Sequence, residues 1–156
     1  MNEITLSNYI LRVGIGHSIS RLNAFDRALI DAGVSDFNLI KVSSVLPPHS
    51  YLQSKITLNK GLLLPSAYVS IYSDSIGNVI SAAVAIGVPK DGNNIGVIMK
   101  YSDFTTKELS EQTARSFAAE ALHDRNVDIG EILSISVECK VELSEYYCAF
   151  ATVSMW

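Results

Sequence analysis

Residues 62–101 hold the strongest constraint on the fold. Leu62–Tyr72, Val79–Val88 and Ile95–Tyr101 are three apolar runs of about strand length. Only Ser73-Asp74-Ser75-Ile76-Gly77-Asn78 and Pro89-Lys90-Asp91-Gly92-Asn93-Asn94 separate them, and both breaks are rich in turn formers. Breaks that short join antiparallel neighbours, because a parallel crossover needs about a dozen residues or more.

The flanking segments supply more strands and two helices. Ile4, Leu6, Tyr9, Leu11 and Val13 sit among polar residues, which predicts a strand that Gly14 and Gly16 end. In residues 23–33, Ala24, Phe25, Ala28, Leu29 and Ala32 recur at helical spacing, with Asn23 as N-cap and Gly33 as the stop. Phe37–Leu46 reads as one strand halted by Pro47-Pro48, and residues 49–60 read as a loop. Thr105 and Glu108 fit a capping box. The face of that helix is Leu109, Thr113, Phe117, Ala118, Ala121 and Leu122, with Gly130 closing the segment. Ile132–Val141 and Tyr147–Val153 complete a set of two helices and about seven strands. The sum is an α+β fold of mainly antiparallel sheets with helices covering sheet faces. No repeat, linker or low-complexity tract divides residues 1–156, so a single domain is expected.

Several function classes are disfavoured. The chain carries 12 Lys+Arg against 16 Asp+Glu, a net charge of −4, which argues against a nucleic-acid partner held through duplex phosphates. Only 18% of residues are charged and the mean hydropathy is +0.24, which points to oligomerisation. Cys139 and Cys148 are too few and too widely spaced for a disulfide framework or a zinc knuckle, and read as reduced thiols. His17, His49 and His123 lack metal-ligand spacing, so no metal is expected. Gly14-x-Gly16 lacks the rest of a dinucleotide fingerprint, and no nucleophile elbow or phosphate loop is present. With no signal peptide and no apolar run near the ~20 residues of a spanning helix, a cytoplasmic protein without membrane contact is expected.

One segment stands out. Lys41-Val42-Ser43-Ser44-Val45-Leu46-Pro47-Pro48 sets a serine pair within an otherwise apolar stretch. Alone, such a pair does no more than satisfy backbone groups. Its company is more specific: Asn23-Ala24-Phe25-Asp26, Asn38-Leu39-Ile40, Pro65-Ser66-Ala67-Tyr68, Ile80-Ser81-Ala82-Ala83, Val88-Pro89-Lys90-Asp91, Gly96-Val97-Ile98-Met99, and Cys148-Ala149-Phe150-Ala151 before Trp156. In order and spacing, from about residue 10 to the end, this set resembles the pyruvoyl-dependent arginine decarboxylases.

The resemblance implies an αββα sandwich assembled as a homotrimer, with active sites between neighbouring subunits. It implies that the serine pair is a self-processing site. The Ser44 hydroxyl attacks the Ser43 carbonyl, and β-elimination cuts the chain into a β chain (1–43) and an α chain (44–156). The α chain then begins with a pyruvoyl group derived from Ser44. Substrate amine condenses with that ketone as a Schiff base, and arginine loses carbon dioxide to give agmatine. By the same likeness Asp26 pairs with the substrate guanidinium, a task suited to a carboxylate facing a planar fork. Asn38 helps hold the oxygen at the cleavage centre, where an oxyanion develops.

One position departs from the pattern. After Gly96-Val97-Ile98-Met99 the family carries a glutamate that serves in protonation, and here Lys100 stands in its place. Lys100 is then itself the proton donor, or faces a substrate carboxylate and marks a decarboxylase of another amino acid, or marks a homologue that has lost turnover and acts as a subunit partner.

Overall fold

The computed structural model of the chain describes residues 3–156. In chain order the elements are β1 (Asn8–Ser18), α1 (Arg21–Ala32), β2 (Asn38–Lys41), β3 (Val45–Leu46), β4 (Tyr51–Leu52) and β5 (Leu63–Ser73). There follow β6 (Val79–Pro89), β7 (Gly96–Asp103), α2 (Lys107–Asp124), β8 (Ile129–Lys140) and β9 (Tyr146–Met155). None of the helices is long and apolar enough to cross a membrane among the described residues.

The strands form two sheets. One has the order β2-β5-β9-β1-β4, antiparallel at its centre with parallel pairs at both edges. The other has the order β3-β7-β6-β8 and is antiparallel throughout. Alternation along each strand divides the side chains between faces. On β6, Ile80, Ala82, Val84 and Ile86 point between the sheets, where they meet Ala149, Ala151, Val153 and Met155 of β9. The opposite faces carry Cys148 and Phe150 towards α1, and Ala83 and Ala85 towards α2. The layer order is therefore helix, sheet, sheet, helix: an α+β sandwich with three apolar interlayers.

Small residues set the helix–sheet spacing. α1 buries Ala24, Ala28 and Ala32 against β1, and α2 buries Ser110, Ala114, Ala118, Ala121 and Leu122 against the second sheet. Gly14 and Gly16, expected to end the first strand, lie inside β1 instead. A Cβ at Gly16 would stand 2.5 Å from both the Ala24 carbonyl oxygen and the Ala28 nitrogen. These glycines let the α1 backbone rest on the sheet; they do not stop the strand.

The caps shift by a residue or more from the sequence expectation. Ser20, not Asn23, caps α1, its hydroxyl accepting from the Asn23 amide, while Gly33 closes the helix with φ of 75° as expected. Thr106, not Thr105, caps α2. Leu109 and Phe117 are exposed, Phe117 resting edge-on against Tyr101. Gly130 lies within β8, well past the end of α2. The expected 49–60 loop contains the two-residue β4, held beside β1 by its backbone bonds.

Candidate functional site

The largest departure from the sequence reading is at the serine pair. Phe37–Leu46 is not one strand. It makes β2 on the first sheet, leaves it, and makes β3 on the second. The crossing falls on residues 42–44. The Val42 amide donates to the Ser66 carbonyl of β5 at 3.1 Å, and the Ser44 carbonyl accepts from the Ile98 amide of β7 at 2.8 Å. The Ser43–Ser44 peptide thus spans the gap between sheets with its two sides fixed to different ones. Ser43 is exposed and Ser44 half-buried.

Lys100 sits on β7 two residues after Ile98, on the face turned between the sheets. Its Nζ lies 3.5 Å from the Ser43 carbonyl oxygen. Burial lowers the Lys100 pKa below the usual lysine range, and the nearby Lys41 ammonium lowers it further. The Lys41 Nζ itself lies 4.8 Å from the centre of the Tyr68 ring, over its face. Neither lysine has an ion-pair partner among the described residues.

The other two expected site residues lie elsewhere in the single chain. Asn38 begins β2, at the end of the strand away from the serines. Its side-chain amide donates to the Gly61 carbonyl at 2.8 Å, pinning that end. Asp26 is on the exposed side of α1, with no hydrogen bond or ion pair to Ser43, Ser44 or Lys100. Leu22 and Ile30, four residues before and after it, are 76% and 59% exposed and make an apolar stripe around the carboxylate. The structure therefore brings Ser43, Ser44 and Lys100 together, and leaves Asp26 and Asn38 apart from them within one chain.

Sequence reasoning missed Lys41, Ser66 and Ile98 as neighbours of the centre. Only the pairing of β2 with β5 and of β3 with β7 brings them there, and no local pattern signals such pairings. The cysteines do not compete as nucleophiles. Burial pushes the Cys139 thiol up to about 11 and the Cys148 thiol up to about 12. The larger clefts are also elsewhere, one of about 510 Å³ lying between Ile10–Arg12, Leu52–Ser54 and Leu133–Ile135.

Known proteins give this arrangement its context. The family model described as pyruvoyl-dependent arginine decarboxylase matches residues 8–155. A protein of that name from Methanococcus aeolicus is 41% identical over 146 residues, covering 94% of this chain and 87% of the relative. One from Methanocaldococcus jannaschii is 39% identical with the same coverage. Another from Thermococcus kodakarensis is 40% identical over 124 residues, 79% of this chain and 78% of the relative. A match across nearly every element, including both strands that flank the serine pair, means that the chain belongs to the pyruvoyl-dependent arginine decarboxylase family.

Proposed function

We propose that the chain cuts itself between Ser43 and Ser44, and that the α chain 44–156 carries a pyruvoyl group derived from Ser44. The product is an enzyme that decarboxylates arginine to agmatine. The observation that carries this reading is the Ser43–Ser44 peptide itself. It is strung between two sheets and held on both sides, with a cation at the carbonyl that the Ser44 hydroxyl would attack.

The residues present fit the group. A ketone next to an amide carbonyl serves as an electron sink for the pair released when carbon dioxide leaves an amino acid. The Ile98 amide holds the Ser44 carbonyl oxygen and so polarises that amide carbonyl. Asp26 offers two oxygens to a guanidinium, and Asn38 an amide to the cleavage centre. In the homotrimer that the resemblance implies, both residues come from a neighbouring copy. The exposed apolar stripe of Leu22 and Ile30 around Asp26 supports this, because a partner seated there buries it.

The test is intact mass after purification together with carbonyl labelling. Two fragments with a labelled α chain, plus release of carbon dioxide from carboxyl-labelled arginine, support the reading. A single unlabelled 17.0 kDa chain overturns it.

One observation favours a second reading, in which turnover of arginine is impaired. Lys100 stands where a glutamate is expected, so the Ser43 carbonyl meets an ammonium that a second lysine, Lys41, repels, and neither lysine is paired with a carboxylate among the described residues. Reprotonation by a positioned acid contributes roughly 10²–10⁴-fold. On this reading Lys100→Glu raises turnover at least ~tenfold when rates are compared per pyruvoyl group. If the protein already turns over well and Lys100→Glu abolishes it, Lys100 is the working acid.

A further inference from the structure

We propose that Lys100 is a catalytic residue of chain cleavage, its ammonium stabilising the oxyanion that forms on the Ser43 carbonyl oxygen. The inference rests on the self-cleavage reading above and goes beyond it by assigning a group to the first chemical step. The family resemblance implies a role for position 100 in turnover. The geometry points to a role before turnover exists, because the Nζ is directed at the carbonyl of the bond to be cut.

Three features single out Lys100. Its only hydrogen-bond acceptor among the described residues is Ser43 O, at 3.5 Å. That is the long limit for such a bond. The donor distance that stabilises an oxyanion is about 2.7–3.1 Å, so the contact tightens as the oxygen gains charge and the carbon becomes tetrahedral. Second, the side chain comes from the strand whose Ile98 amide already holds the Ser44 carbonyl, so β7 grips both sides of the bond. Third, within the chain Asn38 reaches Gly61 and not Ser43, so Lys100 is the one side-chain donor at this oxygen among the described residues.

The step balances as follows. The Ser44 oxygen bonds to the Ser43 carbonyl carbon, and the electron pair of the C=O moves to the oxygen facing Lys100. The C–N bond to Ser44 then breaks, and the hydroxyl proton ends on the freed amine, leaving an ester. Loss of the Ser44 α-proton and breakage of the Cβ–O bond release the Ser43 carboxylate and leave dehydroalanine. Addition of water and loss of ammonia give the pyruvoyl group. Lys100 acts in the first step only, and keeps its proton.

The experiment uses cell-free synthesis with a pulse of labelled methionine, a chase, and denaturing gels. The chains compared are the parent, Lys100→Met, Lys100→Arg and Ser44→Ala. Loss of one oxyanion donor costs roughly 10²–10³ in rate, so Lys100→Met slows cleavage by that factor and Lys100→Arg restores most of it. Thermal midpoints equal to that of the Ser44→Ala chain show that the variants are folded. Hydroxylamine cuts esters and spares amides, so it fails to restore cleavage in Lys100→Met. Parent-like cleavage of Lys100→Met, or its rescue by hydroxylamine, overturns the assignment while self-cleavage stands. Lys100→Arg as slow as Lys100→Met also overturns it, because a cationic donor then does nothing. A parent chain that stays intact, like Ser44→Ala, removes the self-cleavage reading itself and the assignment with it.

Discussion

Val42 and Ser44, two residues apart in the chain, are bonded into different sheets: the Val42 amide donates to Ser66 on one, and the Ser44 carbonyl accepts from Ile98 on the other. A break between Ser43 and Ser44 leaves each new end where it already is. The N-terminal piece keeps β1 paired with β9 along ten residue pairs and keeps α1 against that sheet. The expected outcome is that the β and α chains co-elute on gel filtration in native buffer and separate only in denaturant. Separation in native buffer after cleavage would show that the β1–β9 ladder does not hold the halves together.

Asp26 gives a prediction about recognition. A hydrogen bond to a charged group is worth about 1.5–3 kcal/mol. Asp26→Asn therefore lowers kcat/KM for arginine roughly ten- to a hundredfold, mainly through KM, and leaves chain cleavage near the parent rate. Steady-state kinetics with carboxyl-labelled arginine check this, and an unchanged kcat/KM removes Asp26 from the site.

Gly16→Ala tests the helix–sheet spacing. The new methyl meets the α1 backbone, which cannot move aside as a flexible side chain would. Overpacking of this kind costs about 1–3 kcal/mol or more. For a chain of this size each kcal/mol lowers the melting midpoint by about 2–4 °C. The comparison is best made in a Ser44→Ala background, so that both chains are uncut. No change in midpoint would mean that α1 rides further from β1 than described.

Glu111 carries the pH prediction. Burial works to raise its pKa. The Ser134 and Ser136 hydroxyls, which donate to it at 2.7 and 2.6 Å, and the Arg115 guanidinium outweigh that and hold it below the usual value. A folded pKa below the unfolded one adds stability that is present above the unfolded pKa and lost as pH falls through the folded one. The stability gap between the parent and Glu111→Gln in urea is thus largest near neutral pH and narrows below about pH 4.5. A gap that is constant down to pH 3 would show that the carboxylate charge contributes nothing.

The three long strands from residue 63 to residue 103 were legible because alternation and turn clusters are local signals. Leu63–Ser73, Val79–Pro89 and Gly96–Asp103 fall within a residue or two of the sequence reading. The glycines of β1 misled, because a glycine chosen for close backbone approach looks the same in sequence as one chosen to break a strand. Phe37–Leu46 misled for a different reason. Its apolar pattern runs on while its hydrogen-bond partners change from β5 to β7, and partners are not written in a chain's own periodicity. Ser43, Ser44 and Lys100 were named from sequence, yet the contact between Lys100 and the Ser43 carbonyl joins positions 57 residues apart. Only the fold reveals that the lysine points at the bond and not at solvent.

The strand order β2-β5-β9-β1-β4 has a consequence for timing. The central strand, β9, follows every other described strand in the chain, and it separates the β1 and β5 that emerge long before it. Until residues 146–155 join it, the first sheet is two unconnected pieces, β2 with β5 and β1 with β4. Ladders that join distant segments form late, after the entropy of closing long loops has been overcome. Tension across the serine pair needs β5 fixed in the first sheet and β7 in the second, so it is expected to build only once β9 has joined; on the proposed self-cleavage, a chain is then not cut before it can hold its own pieces.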